Sequence, residues 1–196
     1  MVENPSNGYW LALGRFINCF SNIEQSLHTY LWMLSQVEVS VLRAILPDAR
    51  MNNVVSAINK IIQSRADTEH PLYRRAVEQI GIISKVRNQI VHYPSGLTDK
   101  GLLISNAIKA MPGKAVEATV TIQTIDDMSE DCIVIGACIA ALITERANLP
   151  PAAKPIPWER IAQTPWRYKQ PSQSASVHKR HERIPKPRPQ PKPSHQ

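Results

Sequence analysis

Apolar residues recur at three- and four-residue steps from Gly8 to Gln36, at Leu13, Phe16, Ile17, Phe20, Ile23, Leu27, Tyr30, Leu31 and Leu34. This spacing lines one face of a 3.6-residue helix and predicts a long amphipathic helix. A short helical piece is expected over Val39–Leu46, ending at Pro47. Asp48 is placed to cap a helix over 49–65, with Met51, Val54, Val55, Ile58, Ile61 and Ile62 inward. Pro71 suits the first turn of the next helix, where its missing N–H costs nothing. That helix carries Leu72, Ala76, Ile80, Ile83 and Ile90 toward a core and stops before Pro94, whose ring disfavours helix at the residue ahead of it.

The period then shortens to two. Leu102–Lys109 and Val116–Gln123 read as the strands of a hairpin turned at Met111-Pro112-Gly113-Lys114. A lone hairpin is marginal, so it is expected to lie against the helices. Asp126 can cap a last helix over 127–148, in which Gly136, Ala137, Ala140 and Ala141 permit close helix packing. The predicted fold class is all-α: a bundle of four to five helices with a β-hairpin inserted before the last.

Composition changes abruptly at Pro150. Eleven of the 16 prolines lie from there on, and residues 150–196 hold 10 Lys+Arg against 2 Asp+Glu. Residues 1–149 hold 13 against 14, so the overall charge of +7 belongs to the C-terminal part and not to the helical part. Two regions are therefore expected: a helical domain over 1–149 and a disordered, basic, proline-rich tail over 150–196, with polyproline character at Pro185-Lys186-Pro187-Arg188-Pro189. Trp158 and Trp166 are out of place in a solvated tail and mark its first part as able to dock on the domain.

The three cysteines, Cys19, Cys132 and Cys138, sit in apolar helical runs and show no metal-type spacing, which suits small core side chains in a reducing cytoplasm. No basic-then-apolar leader is evident at the N-terminus, and the longest apolar stretch, Ile133 to Ile143, is 11 residues, too short to span a bilayer. No Gly-rich phosphate loop, two-metal acidic cluster or nucleophile elbow is present, so neither a cofactor nor a metal is expected. His178 and His181 form an H-x-x-H without a third ligand, and His70 reads as loop.

Candidate chemistry gathers at Arg87-Asn88-Gln89-Ile90-Val91-His92. Arginine keeps its charge and offers a planar fork to a phosphate, while histidine titrates near neutrality and can move a proton. With 13 Arg and 6 His in 196 residues, chance supplies this spacing about 0.4 times, so context decides. Arg87 falls on the apolar stripe of Ala76, Ile80 and Ile83, where a charge needs a partner. Glu24 interrupts the first helix in the same way, among Phe20, Leu27 and Leu31, and an Arg87–Glu24 pair is the economical expectation. His92 lies roughly 140° around the helix from Arg87, whereas Asn88, one turn before His92, can orient its ring. His28, one turn after Glu24, is a further polar candidate. The same residues also admit a purely structural reading, with a bridge at Arg87–Glu24 and a histidine at a helix C-terminus.

A helical bundle with R-N-x-x-x-H near the end of its penultimate long helix resembles the HEPN domain family, whose hallmark is R-x(4–6)-H, commonly with Asn, Asp or His after the arginine. The resemblance covers about residues 8–148. It implies a metal-independent endoribonuclease that works as a homodimer, with Arg87 and His92 of both copies meeting in one cleft and Asn88 positioning the histidine or contacting the phosphate. Glu24, His28 and Tyr93 would support that site, RNA would be the substrate, and 2′,3′-cyclic phosphate ends the product. Many members are toxins, with an antitoxin partner, or act in defence against phage. Others are inactive nucleotide-binding or interaction modules, and here such a module would engage nucleic acid through its basic tail.

Overall fold

The computed structural model describes residues 5–47, 50–65, 69–93, 95–105, 117–147 and 158–170. Six helices and three strands lie among them: α1 (Pro5–Ser35), α2 (Val39–Ile45), α3 (Met51–Ser64), α4 (Pro71–His92), β1 (Ser95–Thr98), β2 (Gly101–Ser105), β3 (Glu117–Val120), α5 (Ile122–Arg146) and α6 (Trp158–Ala162). The protein is mostly helical, with a small antiparallel sheet among the helices. No helix among the described residues is long and apolar enough to cross a membrane.

The long helices form where the 3.6-residue period is strongest. α1 buries Phe16, Phe20, Ile23, Leu27, Leu31 and Leu34 in the core, and α3 buries Met51, Val54, Ile58 and Ile62. At the start of α4, Pro71 occupies the first turn as expected. His70, read as loop, is its cap: its Nδ1 accepts from the Leu72 N–H at 3.2 Å while Nε2 approaches Glu145 at 3.5 Å. α4 ends at His92, and Tyr93 turns to extended backbone just ahead of Pro94.

The sheet has the order β1-β2-β3 with both pairs antiparallel. One strand more is present than the expected hairpin contained, because Ser95-Gly96-Leu97-Thr98 carries too little alternation to be read as a strand. Leu102, Ile104 and Val120 turn into the core. The sheet closes at Gly101, whose φ of 131° suits glycine, and where an added Cβ would stand 2.6 Å from the Val120 carbonyl oxygen. The expected Met111–Lys114 turn and the Asp48 cap lie outside the described residues. Gln123, expected in a strand, belongs to α5. That helix is capped by Thr121, whose Oγ1 accepts from the Thr124 N–H at 3.1 Å, rather than by Asp126.

α5 is not the last helix. α6 and the segment after it pack on α4 and α5, with Ala162 and Tyr168 buried in the core. Residues 158–170 are therefore folded, and the disordered tail expected from Pro150 onward does not extend across them. α1 and α5 lie side by side and parallel: Gly8 is close to Ile122, and Arg15 pairs with Glu130. α4 runs antiparallel to α1, as its Arg87 lies over Phe20 and its Tyr73 near Tyr30. The sheet links the C-terminus of α4 to the N-terminus of α5, so one end of the molecule gathers both helix ends, the strands and the start of α1.

Gly101→Ala is expected to lower stability by about 1–3 kcal/mol, since it forces a side chain into a strained backbone conformation and against a carbonyl. Gly96→Ala, which meets nothing within 4 Å, serves as the control, and thermal unfolding of the two variants checks the difference.

Candidate functional site

Arg87 is half-buried at the C-terminal end of α4. Its guanidinium lies over the Phe20 ring at 5.4 Å from the centroid, within cation–π range. Nη1 donates to Asn88 Oδ1 at 3.2 Å, and Nε is buried with no hydrogen-bond partner among the described residues. The expected Arg87–Glu24 bridge is not formed. Ion pairs among the described residues include Arg15–Glu130, Arg74–Glu69 and the His70–Glu145 approach. The face of Phe20 takes the place that a carboxylate was expected to fill, and Glu24 stays half-buried one turn further along α1.

The remaining candidates are dispersed. Asn88 and His92 are exposed, and Asn88 holds Arg87 rather than the histidine ring. Tyr93 is half-buried and packs against the core. His28 is eight residues beyond Phe20 on α1, about 12 Å along the helix axis. It opens onto a different feature, a cleft of about 790 Å³ between α1 and α2 lined by His28, Trp32, Leu42 and Arg43 among others. Arg87, Asn88 and His92 thus share the end of α4, while His28 belongs to the other half of the molecule. No group of three or more His, Cys, Asp or Glu residues among the described residues is arranged to hold a metal ion.

Surface character differs between regions. Ten large apolar side chains are exposed among the described residues. Six of them, Trp10, Leu11, Val91, Leu97, Leu103 and Ile122, lie on the elements gathered at the His92 end.

A second polar cluster escaped the sequence reading. Asp131, fully buried on α5, accepts the Arg167 N–H at Oδ1 (2.8 Å) and the Tyr168 N–H at Oδ2 (3.0 Å). Gln79 of α4 donates from Nε2 both to Asp131 Oδ2 at 2.7 Å and to the Tyr168 carbonyl at 3.0 Å. Arg75 donates to the Thr164 carbonyl and stacks on Trp166 at 4.3 Å, and Cys138 Sγ meets the Ala162 carbonyl at 3.8 Å. Residues 162–168 thereby form a strap across α4 and α5. The signal that could have found it is Asp131 itself, a carboxylate on the core stripe of Met128, Ile135 and Cys138. Burial pushes the Asp131 carboxyl above the usual aspartate range, and its three N–H donors offset this only in part.

No family model, no curated protein and no solved structure matches the chain.

Two outcomes follow at Asp131. Asparagine there would point an NH₂ group at one of the two backbone N–H donors, so Asp131→Asn is expected to free the strap, seen as faster proteolysis between residue 147 and residue 170. Because the folded pKa is raised, the group's stabilising contribution is full below the ordinary aspartate pKa and is lost as pH rises through the raised value. Denaturant unfolding across the acidic range should show the wild type losing stability relative to the Asn variant as pH increases.

Proposed function

We propose that this protein is a metal-independent endoribonuclease of the HEPN kind, active as a homodimer, with Arg87 and His92 as catalytic residues and Asn88 positioning Arg87. Its helices and sheet would then be read as a HEPN-like bundle carrying a β insertion before α5. The observation that carries the proposal is the state of Arg87. A half-buried cation without a carboxylate partner among the described residues, held by Asn88 and Phe20, is poised for an anion from outside. An exposed imidazole follows five residues later on the same helix end.

One histidine does not readily serve as base and acid at once, and two copies can divide the work. One His92 removes the proton from a ribose 2′-OH, and the oxygen attacks the adjacent phosphorus. The other His92 protonates the departing 5′-oxygen, leaving a 2′,3′-cyclic phosphate. The two Arg87 side chains stabilise the charge that builds on the phosphoryl oxygens. The six apolar side chains exposed at this end supply the surface on which a second copy would dock. The activity suits a cytoplasmic toxin or phage-defence effector restrained by an antitoxin.

A second reading, an inactive interaction or nucleotide-binding module, is favoured by one observation: the 790 Å³ cleft lies at α1 and α2, away from Arg87 and His92. Cleavage in a chelator separates the two. The wild type should cut single-stranded RNA in EDTA, and His92→Ala or Arg87→Ala should lower the rate by at least about 10²-fold with the helical circular-dichroism spectrum unchanged. Cutting at the wild-type rate by His92→Ala would overturn the assignment.

A further inference from the structure

The second half of α1 carries two stripes on opposite faces. Ile23, Leu27, Tyr30 and Leu34 are buried in the core, while Gln25, His28, Thr29 and Trp32 fall within about 100° of arc on the other side of the helix. With that second stripe α1 lines the cleft of about 790 Å³, and Leu42, Arg43 and Leu46 line it from α2 and its C-cap. Those three residues follow the same three- and four-residue steps and share one face of α2. One wall of the cleft is thus polar with a single large ring, and the other is apolar with a single cation.

The two walls are held in place by the turn between the helices. α2 is seven residues long and buries none of them fully. A helix this short is not stable alone, so its position is set by the turn before it and by Leu42 and Leu46, half-buried against the core. In that turn Gln36 adopts a φ of 58°, the sole positive φ of a non-glycine residue among the described residues, and a conformation that costs energy for a side chain with a Cβ. The Gln36 N–H donates to the Trp32 carbonyl at 3.2 Å, and Ser35 Oγ donates to the same carbonyl at 2.9 Å while accepting the Val37 N–H at 3.3 Å. The turn is therefore pinned at Trp32 itself. Strain of this kind persists where the surrounding structure holds it and gathers at ligand clamps.

Two kinds of group stay open to solvent in the cleft. Trp32 is 43% exposed, across from the apolar Leu42 and Leu46. Arg43 and His28 are exposed and have no hydrogen-bond or ion-pair partner among the described residues. No carboxylate among the described residues lines the cleft, and the nearby Glu38 takes the Ser40 hydroxyl at 2.7 Å. A guanidinium fork beside an imidazole suits a carboxylate or a phosphate. An indole face opposite leucine suits a flat ring, and Gln25 offers an amide to that ring's edge. The volume is that of a site for a small molecule.

We infer that the cleft between α1 and α2 binds a small aromatic anion, a flat ring carrying a carboxylate or a phosphate. The ring lies between Trp32 and the two leucines, and Arg43 with His28 takes the anionic group. The site does not rest on the ribonuclease reading, since neither Arg87 nor His92 lines it.

The full chain is titrated with naphthoate and with naphthyl phosphate, each against neutral naphthamide, while its amide signals are followed by NMR. At least one anion should saturate and shift the signals of residues 25–32 and 39–46 while those of residues 88–93 stay in place. The anion that does so identifies the group as carboxylate or phosphate. Naphthamide should bind at least about tenfold more weakly, the loss expected for a charge-assisted hydrogen bond. Arg43→Gln should reduce the anion's affinity to that of naphthamide, and Trp32→Ala should weaken all three compounds. Both substitutions alter exposed side chains, and an unchanged circular-dichroism spectrum checks the fold. Naphthamide binding as tightly as the anions, anion binding indifferent to Arg43→Gln, or no saturable shift at the cleft with either anion would overturn the inference.

Discussion

A buried carboxylate without a cationic partner among the described residues ties α4, α5 and the 162–168 strap together. Asp131 is surrounded by apolar neighbours on α5, and its oxygens are satisfied by two successive backbone N–H groups and the Gln79 amide. An isolated buried carboxylate costs several kcal/mol in desolvation, so these three donors are what make the position tolerable. They come from α4 and from a strap far along the chain, so the carboxylate requires both to be in place. Removing the donors would leave a naked charge in the core, and removing the side-chain oxygens would leave two backbone N–H groups facing apolar surface. The strap's path and the covering of Ala162 and Tyr168 follow from this one interaction.

Arg87 presents the opposite case. Its charge is half-buried, but the groups around it are a neighbouring amide and an aromatic face, which together leave the guanidinium unneutralised. Such a cation gains more from an incoming phosphate than one already held in a salt bridge. Asp131 closes its site from within, while the proposed ribonuclease reading has Arg87 completed from without. The apolar side chains exposed on the elements at the same end are where the proposed second copy would dock.

The sequence made the long helices legible because their apolar period runs unbroken for several turns; α1 and α4 lie within a few residues of expectation. It was less informative where the signal is short or conflicting. β1 has one apolar side chain in four residues and takes its place by pairing with β2, a contact that no local pattern encodes. Thr121 out-competed Asp126 as a cap because the strand delivers the chain to Thr121 first. Composition over 150–196 averaged a folded strap with the segment beyond it, and Trp166 was the residue that distinguished them. Arg87 was correctly singled out as a charge on an apolar stripe, but its supposed partner was wrong: sequence periodicity shows that two side chains lean inward, not that they meet. Asp131 obeys the same logic: a carboxylate on the core stripe of Met128, Ile135 and Cys138 needs donors, and periodicity does not say that they come from α4 and from residues 167 and 168.

The claim that Arg87 and His92 form half of a site is tested most directly by mixing. Wild-type chain and His92→Ala are combined at equal concentration, allowed to exchange subunits, and assayed for RNA cleavage in EDTA. If both copies must supply a histidine, wild-type pairs alone are active, and activity falls to about a quarter of that of the same total of wild type. Activity at about one half, the value for independent sites, would contradict the account.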